Sequence, residues 1–484
     1  MFKRVTHVHQ TALPRQGVPA ADRGDVVGGD LAVTDSLNSR EGVRRLVVRL
    51  TAVLVPMACI LGFTSVATST ALARGMKPSW VAVWGLPVNT TDTASFQNQT
   101  IRVVLRASFG GSRVRIRLSN VNGTQPLTLR DAHIGVAQVG GDVQPGTNVP
   151  LTFGGSRAVT IPVGESVMSD PAALHVQALE HLAVSVYARG FTGRGTGDGE
   201  LANYYTAAGD HAGDTSGGSF PAAGSPSALG ATSSVSGSYF VTGVDVYAPN
   251  DGLIVAFGDS ITVGANASDE GWPYWLADRL AQVPAQGGPR LSIIDMGISG
   301  NQVTQDNIVA GASAEHRLQR DVLDQTGLKA VLMMEGINDI VNFFGTSPVP
   351  GATIESGLTQ ITDRVRDAGA GILVSPLTPA GDVTEPFPHG YVSTPAGVQE
   401  RHDVNNWIRH TSGGYSPLFD FEPVIADPQF PDHLLPAFNS GDNLHPNIAG
   451  QRAMANSTLP GVLKAAQDDE HVSRVTWQFS HSER

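Results

Sequence analysis

Five residues in the second half of the sequence carry groups that together could perform acyl transfer. They occur in four short clusters, which read Gly258-Asp-Ser260, Gly297-Ile-Ser-Gly300-Asn301, Gly336-Ile-Asn338-Asp339 and Asp442-Asn-Leu-His445. A serine hydroxyl becomes an effective nucleophile when a neutral imidazole takes its proton, and the imidazole needs a partner that fixes its tautomer. The pattern predicts Ser260 as the nucleophile, His445 as the general base and Asp442 as the partner of His445.

Acyl transfer also needs hydrogen-bond donors for the oxygen that becomes negatively charged in the tetrahedral intermediate. The backbone N–H groups of Ser260 and Gly300 and the side-chain amide of Asn338 are the predicted donors. Each such donor is worth about 10²–10³ in rate. The predicted oxyanion hole is therefore assembled from three of the four clusters.

Each cluster also has a simpler structural interpretation. Gly-Asp-Ser commonly marks a turn, Asn338-Asp339 suits an ordinary loop, Asp442 could cap the following helix, and His445 before a proline could be a buried structural histidine. Asp259 is predicted to brace the turn beside Ser260 rather than to catalyse. The order of the clusters, each at the end of a predicted strand or the start of a helix, favours the functional interpretation of the set.

Alternating strands and helices are predicted to position these clusters. Short apolar runs predict strands at 253–257, 291–295, 330–334 and 371–375, with a weaker one at 418–421, and helical periodicity predicts helices at 272–283, 312–324, 354–368, 398–410 and 447–457. This alternation predicts an α/β fold with right-handed crossovers and a mainly parallel sheet. Loops at the carboxyl ends of such strands meet in one crevice, so the clusters should converge.

A period of two dominates residues 80–246 and predicts short antiparallel strands, typical of a β-sandwich or jelly roll. In residues 113–118, Val114, Ile116 and Leu118 share one face, and Arg113, Arg115 and Arg117 share the other. The arginine row is expected to be solvated, with binding of an acidic polysaccharide as the alternative. The Gly/Ser/Ala-rich residues 209–237 are predicted to form a long mobile loop.

An export signal is predicted near the N-terminus. Arg44-Arg45 precedes an uncharged run over residues 50–73, which ends in Ala71-Leu-Ala73. A basic flank, an apolar centre and small residues at the end are typical of a secretory signal, so cleavage is predicted after Ala73 and the protein is expected to be secreted or periplasmic. The alternative is an N-terminal anchor facing outside, which Pro56 and the Ser/Thr-rich part of the run disfavour.

These patterns predict four parts of the chain. They are an extension and signal over 1–73, a β-sandwich accessory domain over 74–250, a catalytic domain over 251–465 and a tail over 466–484. The turn Pro249-Asn-Asp-Gly252 marks the central boundary.

Composition excludes several classes of protein. The formal net charge is -12, and Lys and Arg form no block after the first fifty residues, so a nucleic-acid partner is not expected. The single cysteine, Cys59, lies in the predicted signal, which excludes a disulfide framework or a cysteine metal site in the folded part.

In its four clusters the sequence resembles the SGNH, or GDSL-type, serine hydrolases, whose marker residues are Ser, Gly, Asn and His in separate blocks. The resemblance covers residues 253 to about 460 and implies a flavodoxin-like α/β/α sandwich and ester hydrolysis with neither cofactor nor metal. Asp295-Met296 departs from the family, in which an asparagine often precedes the glycines of the second block. Residues 80–84, 113–120 and 169–171 also look like the β-domain of two-domain secreted bacterial members, often described as carbohydrate esterases or lipases.

The expected function is therefore an exported esterase that removes short acyl groups, above all O-acetyl, from carbohydrate. Residues 376–395, rich in Pro, Gly and aromatics, are expected to line the acyl or sugar pocket, and a surface loop without function is the alternative. A lipase or lysophospholipase activity is a second hypothesis. A carbohydrate-binding protein with a decayed hydrolase domain is a third, and a metal-dependent phosphoesterase using Asp259, Asp442 and His445 is a fourth.

Overall fold

The structure, a computed structural model, describes residues 77–89, 94–198, 204–220, 238–268, 270–307, 310–341, 348–383 and 390–481. They all belong to one of the chain's two compact units, Ser69–Arg484. The predicted export signal, its cleavage position after Ala73 and Cys59 lie outside the described residues. Within the described ranges, no helix has the length and apolar content needed to cross a bilayer.

The first half of the described chain is built from antiparallel strands. They are β1 (Ser79–Gly85), β2 (Gln97–Arg106), β3 (Val114–Ser119), β4 (Leu127–Val136), β5 (Val149–Pro150), β6 (Val159–Ile161), β7 (Ser166–Met168), β8 (His181–Phe191), β9 (Gly197–Asp198), β10 (Tyr204–Ala208), β11 (Ser238–Tyr239) and β12 (Val241–Ala248). One sheet has the order β1-β12-β3-β7 and another the order β10-β2-β8-β4-β5, with β6 paired to β4 and a small β11-β9 ladder. The prediction of an antiparallel β-rich region is confirmed.

Strand β3 confirms the predicted apolar face but not the predicted arginine face. Val114, Ile116 and Leu118 are fully buried in the core. Arg115 forms an ion pair of 2.8 Å with Asp245 on β12, and Arg117 donates to Gln325 in the second half of the chain at 3.2 Å. Arg115 and Arg117 are therefore half-buried and paired within the fold rather than fully solvated, whereas Arg113 is exposed. Binding of an acidic polysaccharide by this row stays a prediction.

The predicted loop over 209–237 is only partly described. Arg102 on β2 donates to the carbonyl oxygen of Asp214 at 2.6 Å and stacks on Phe220 at 4.2 Å from the ring centre. The prediction of mobility is wrong for residues 209–220, because a buried arginine fixes them. Residues 221–237 lie outside the described part of the chain.

The second half contains a parallel sheet with helices in its connections. Its strands are β13 (Gly252–Gly258), β14 (Leu291–Gly297), β15 (Leu328–Met334) and β16 (Gly371–Val374), and they pair in parallel in the order β14-β13-β15-β16. The helices are α1 (Ser260–Val263), α2 (Trp272–Leu280), α3 (Ala314–Leu318), α4 (Ile337–Val341), α5 (Gly351–Asp367), α6 (Pro395–His410), α7 (Glu422–Ile425) and α8 (Ile448–His481). The α/β prediction is confirmed, and every residue of the central strand β13 is buried.

Two predicted elements differ from the structure. Residues 418–421 form no strand, since a 3-10 turn covers Pro417–Phe419 and α7 begins at Glu422; Phe419 and Phe421 instead pack on Trp272, at 5.8 and 5.5 Å between ring centres. The last helix was expected over 447–457, before Pro460, but α8 continues through this proline to His481, which makes most of the predicted tail helical.

The two halves of the described chain share one hydrophobic core. Strand β1 lies beside the edge strand β14, where the Ser292 hydroxyl donates to the carbonyl oxygen of Ala82 at 2.6 Å and bonds to the Ser108 hydroxyl at 2.9 Å. The change from antiparallel to parallel structure falls between Ala248 and Gly252, at the predicted turn. The division into domains at residue 250 stays a prediction.

Candidate active site

The carboxyl ends of three neighbouring strands are level with one another. Gly258 at the end of β13 pairs with Gly297 on β14 and with Met334 on β15. Ser260 lies two residues beyond Gly258, Gly300 lies three beyond Gly297, and Asn338 lies four beyond Met334. The register thus brings three of the predicted clusters to one edge of the sheet, where α/β folds bind their ligands.

Asp259 fixes the turn that presents Ser260. It is the N-cap of α1, and its side chain accepts a hydrogen bond from the Ile261 N–H at 2.9 Å. Gly264 ends the helix with φ of 90° and donates its N–H to the Ser260 carbonyl oxygen at 3.0 Å. The predicted bracing role of Asp259 is confirmed, because a capping carboxylate satisfies an N–H group that a helix start leaves unpaired.

His445 meets Ser260 from the far end of the chain. Its Nε2 atom lies 2.8 Å from the Ser260 hydroxyl oxygen, although 185 residues separate the two in sequence. Both residues are buried, with 6% and 5% of their surfaces exposed. This is the distance at which a neutral imidazole can accept the serine proton.

Asp442 binds the other nitrogen of the same imidazole. The distance between Asp442 Oδ2 and His445 Nδ1 is 2.5 Å, and Asp442 Oδ1 accepts the backbone N–H groups of Leu444 and His445 at 2.9 and 2.8 Å. Burial disfavours the charged carboxylate, but the His445 side chain and these N–H donors hold the pKa of Asp442 well below its usual range. Asp442 is therefore ionised and fixes the proton of His445 on Nδ1, which leaves Nε2 as an acceptor.

Asp442 does not cap the following helix, although the sequence also allowed that role. Helix α8 begins at Ile448, and the Asn447 side chain accepts the N–H groups of Ala449 and Gly450 at 2.9 and 3.1 Å. Asn447 thus caps α8. Gln451 in its first turn donates to the Ile261 carbonyl oxygen at 3.0 Å, which connects this helix to the turn that carries Ser260.

Gly300 and Asn338 lie just beyond the ends of β14 and β15, respectively. Asn338 Nδ2 donates to the backbone oxygen of Asn301 at 3.0 Å, which fixes one of its two amide hydrogens. Gly300 adopts φ of 75°, a conformation that favours glycine, and directly precedes Asn301. Asp295 belongs to the pair of residues that departs from the family pattern before the second glycine block. Its carboxylate accepts the Gly297 N–H at 2.8 Å and so braces this turn.

Three buried carboxyl groups lie beneath these strand ends. Burial raises the pKa of Asp259 to about 6 and that of Asp339 to about 7, and burial together with the charge of Asp259 raises the pKa of Glu335 well above its usual value. Asp339 accepts the Val303 N–H at 3.0 Å. In the described ranges, no three His, Cys, Asp or Glu side chains are arranged to hold a metal ion.

Sequence reasoning missed two residues that support the site. Arg317 on α3 is fully buried under the strand ends, and Asn266 donates to Asp442 Oδ2 at 2.8 Å. Arg317 and Asp321 occupy inward positions of a helical pattern otherwise filled by Ala314, Leu318 and Val322. That pattern of charged residues among apolar ones is a signal that could have identified Arg317, whereas Asn266 lies in a loop whose contact with Asp442 no sequence pattern indicates.

An apolar cavity of about 590 Å³ lies between the antiparallel sheets and the parallel sheet. Its lining includes Trp84 and Leu105 from the antiparallel strands, Tyr274 from α2, and Val263, which belongs to the same helical turn as Ser260. A volume of this size is typical of small-molecule sites.

Comparison with known proteins agrees with this geometry. The model of the GDSL-like lipase/acylhydrolase family matches residues 256–453, a range that contains all four clusters. No curated protein matches the chain.

Solved structures similar to the chain include several esterases. The aryl esterase of M. smegmatis is 19% identical, with 44% of this chain and 99% of that chain covered and a TM-score of 0.34. An esterase of Pseudoalteromonas sp. is 20% identical, with coverage of 44% and 97% and a TM-score of 0.32. An acetyl xylan esterase is 16% identical, with coverage of 43% and 99% and a TM-score of 0.33.

Proposed function

We propose that this chain, which belongs to the GDSL-like lipase/acylhydrolase family over residues 256–453 and is a carboxylic ester hydrolase, is an exported serine esterase. Its proposed reaction is the removal of short acyl groups, above all O-acetyl, from carbohydrate. The observation that carries the catalytic part is the continuous hydrogen-bonded chain from Ser260 through His445 to Asp442. The proposal of export rests on the signal pattern that ends at Ala73.

In the proposed mechanism, Ser260 Oγ attacks the carbonyl carbon of the ester while its proton moves to His445 Nε2. Asp442 stabilises the positive charge that develops on the imidazole. The former carbonyl oxygen becomes an oxyanion, and it receives hydrogen bonds from the Ser260 and Gly300 N–H groups and from the second amide hydrogen of Asn338.

Collapse of the tetrahedral intermediate breaks the bond between the carbonyl carbon and the alcohol oxygen. The proton on His445 Nε2 passes to the departing alkoxide, which leaves as the alcohol, and the acyl group stays on Ser260. A water molecule then gives a proton to His445 Nε2 and attacks the acyl carbon. The bond between that carbon and Ser260 Oγ breaks, the proton passes from His445 to Oγ, and the carboxylic acid is released.

We place the carbohydrate side of the pocket at the described parts of residues 376–395, which are 376–383 and 390–395. Asn443, within the catalytic turn, donates to the backbone oxygen of Asp382 at 3.0 Å, so this segment adjoins His445. His433 lies 3.4 Å from the Asp382 carboxylate. Polar groups of this kind suit a hydroxyl-rich leaving group.

The second candidate is hydrolysis of longer acyl esters in the manner of a lipase or lysophospholipase. The apolar cavity lined by Val263 would hold the acyl chain, although Ser260 itself is not among its lining residues. A chain of methylene groups gains about 0.8 kcal/mol for each group buried. If the cavity receives the acyl chain, kcat/KM should therefore rise with chain length.

A substrate panel distinguishes the two candidates. We expect kcat/KM for p-nitrophenyl esters to be highest for acetate and to fall with chain length, and we expect release of acetate from acetylated xylan or pectin. A steady rise in kcat/KM to long chains, with no acetate released, would replace the first candidate by the second.

Two further measurements address the remaining hypotheses. Full activity after dialysis against a chelator is expected for the serine mechanism, whereas loss that a metal ion restores would support the phosphoesterase hypothesis. Binding of acetylated carbohydrate with no turnover of any ester would support a decayed hydrolase domain.

A further inference from the structure

The buried side chain of Arg317 connects the ends of β13 and β14 with the loop that follows β14, which are parts of the proposed site. Its Nη2 donates to the Gly258 carbonyl oxygen at 2.8 Å, its Nη1 to the Met296 carbonyl oxygen at 2.6 Å, and its Nε to Asn301 Oδ1 at 2.8 Å. None of this side chain is exposed. Gly258 lies two residues before Ser260, and Asn301 follows Gly300, so the guanidinium is bonded to both segments that present oxyanion donors.

The contact with Asn301 extends to Asn338. The backbone oxygen of Asn301 accepts the Asn338 amide at 3.0 Å, and the Asn301 amide donates to the carbonyl oxygens of Ala310 and Ala312 at 2.9 and 2.8 Å. The position of Asn301 therefore sets the direction of the Asn338 amide. A shift of Asn301 would move two of the three proposed donors together.

The Arg317 guanidinium also contacts an aromatic ring and two carboxyl groups. The guanidinium stacks on the Phe257 ring at 4.1 Å from the ring centre and lies 3.5 Å from the carboxylates of Asp321 and Glu335. Burial lowers the pKa of Arg317, and the two carboxylates oppose that change. Three donors in a fixed plane suit arginine, and the single ammonium of lysine cannot reproduce them.

We propose that Arg317 is a positioning residue for the oxyanion hole: it fixes the Gly258, Met296 and Asn301 segments in one plane so that the Ser260, Gly300 and Asn338 donors converge on one point. This inference rests on the proposed function. Arg317 touches no reacting atom, so its effect is on the transition state through the geometry of other groups. A displacement of about 1 Å in such a site can cost about 10²-fold in rate.

The test is Arg317→Lys with Arg102→Lys as the matched control. Arg102 is fully buried in the antiparallel sheets and bonds in the same manner, from Nε to Ser185 Oγ at 2.8 Å, from Nη1 to the Gly141 oxygen at 2.6 Å and from Nη2 to the Asp214 oxygen at 2.6 Å. Both variants should lower the melting temperature. For R317K we expect kcat for p-nitrophenyl acetate to fall about 10–100-fold with KM within about threefold, while R102K retains wild-type kcat in its folded fraction.

A second measurement separates positioning from general damage. Phenylboronic acid forms a tetrahedral adduct with a serine nucleophile, so its inhibition constant should worsen in R317K by about the factor lost in kcat. Asn301→Ala removes one partner of Arg317 and should reproduce much of the loss, and the R317K/N301A double variant should lose less than the product of the two single effects, because both act through one contact. N301A alone decides the question if R317K fails to fold.

The inference is overturned if R317K keeps kcat within threefold of wild type, if R102K loses as much kcat as R317K, if the whole loss is in KM, or if N301A leaves kcat unchanged. These outcomes are distinct from a failure of the proposed function. Wild-type protein that turns over no ester would remove both, whereas active wild-type protein with unchanged R317K removes the positioning role alone.

Discussion

Asn266 donates a hydrogen bond of 2.8 Å to the Asp442 oxygen that also binds the His445 imidazole. The loop that follows the Ser260 helix thus contacts the turn that carries Asp442 and His445, across 176 residues of sequence. Asp442 is fixed on both oxygens, because its Oδ1 atom accepts two backbone N–H groups of its own turn. The carboxylate is therefore oriented before any substrate binds, which is the condition for an effective partner of a catalytic histidine.

The first prediction concerns the charge of Asp442. Asp442→Asn keeps the size of the side chain but favours the wrong tautomer of His445, with its proton on Nε2, and we expect kcat for p-nitrophenyl acetate to fall about 10⁴-fold. Asn266→Ala removes one neutral donor and serves as the comparison, with an expected loss of about tenfold or less. Steady-state kinetics of the two variants would contradict this account if D442N retained more activity than N266A.

The second prediction concerns the amide of Asn338. Asn338→Ala removes one proposed oxyanion donor, so kcat should fall about 10²–10³-fold while KM changes little. The measurement is the kcat and KM of p-nitrophenyl acetate hydrolysis by N338A. A change confined to KM would show that Asn338 binds the ground state rather than the intermediate.

The third prediction concerns stability and pH at Asp339. Burial raises the pKa of Asp339 to about 7, against about 3.9 in the unfolded chain. Between these values the folded protein retains a proton that the unfolded chain has lost, so this group lowers the free energy of unfolding as pH rises through the range. From pH 5 to pH 7 the loss amounts to about 2–3 kcal/mol.

Asp339→Asn cannot ionise and should remove this contribution. Urea unfolding at pH 5 and pH 7 should show a smaller decrease in the free energy of unfolding for D339N than for the wild type. Asp363→Asn, on the exposed face of α5, should follow the wild type. Equal decreases in D339N and in the wild type would mean that Asp339 is ionised in the folded protein across this range.

The sequence was sufficient to predict the elements whose pattern is local. The continuous apolar run that becomes β13 and the strict alternation of β3 both follow from burial on two faces or on one. The positions of the five proposed site residues follow from the same local patterns, because each lies near a glycine, a strand end or a helix start that local residue types mark, and their catalytic roles stay a prediction.

The features that sequence reasoning missed depend on contacts between distant segments. Residues 418–421 were predicted to form a strand, but Phe419 and Phe421 instead pack against the Trp272 ring of α2. Arg115 and Arg117 looked like a surface row, because the opposing Asp245 and Gln325 cannot be inferred from β3 itself. The buried bonds of Arg317 join the ends of β13 and β14 with the loop that follows β14, and only the assembled sheet brings these groups within reach.

The central claim is that Ser260 is the nucleophile, and covalent labelling measures it most directly. In wild-type protein treated with a fluorophosphonate, mass spectrometry should show one phosphonyl group per chain on the peptide that contains Ser260. Turnover of p-nitrophenyl acetate, followed by release of p-nitrophenol, should fall in proportion to labelling. Ser260→Ala should retain the fold and show neither label nor turnover. Labelling at another residue, or wild-type activity in the S260A variant, would contradict the account.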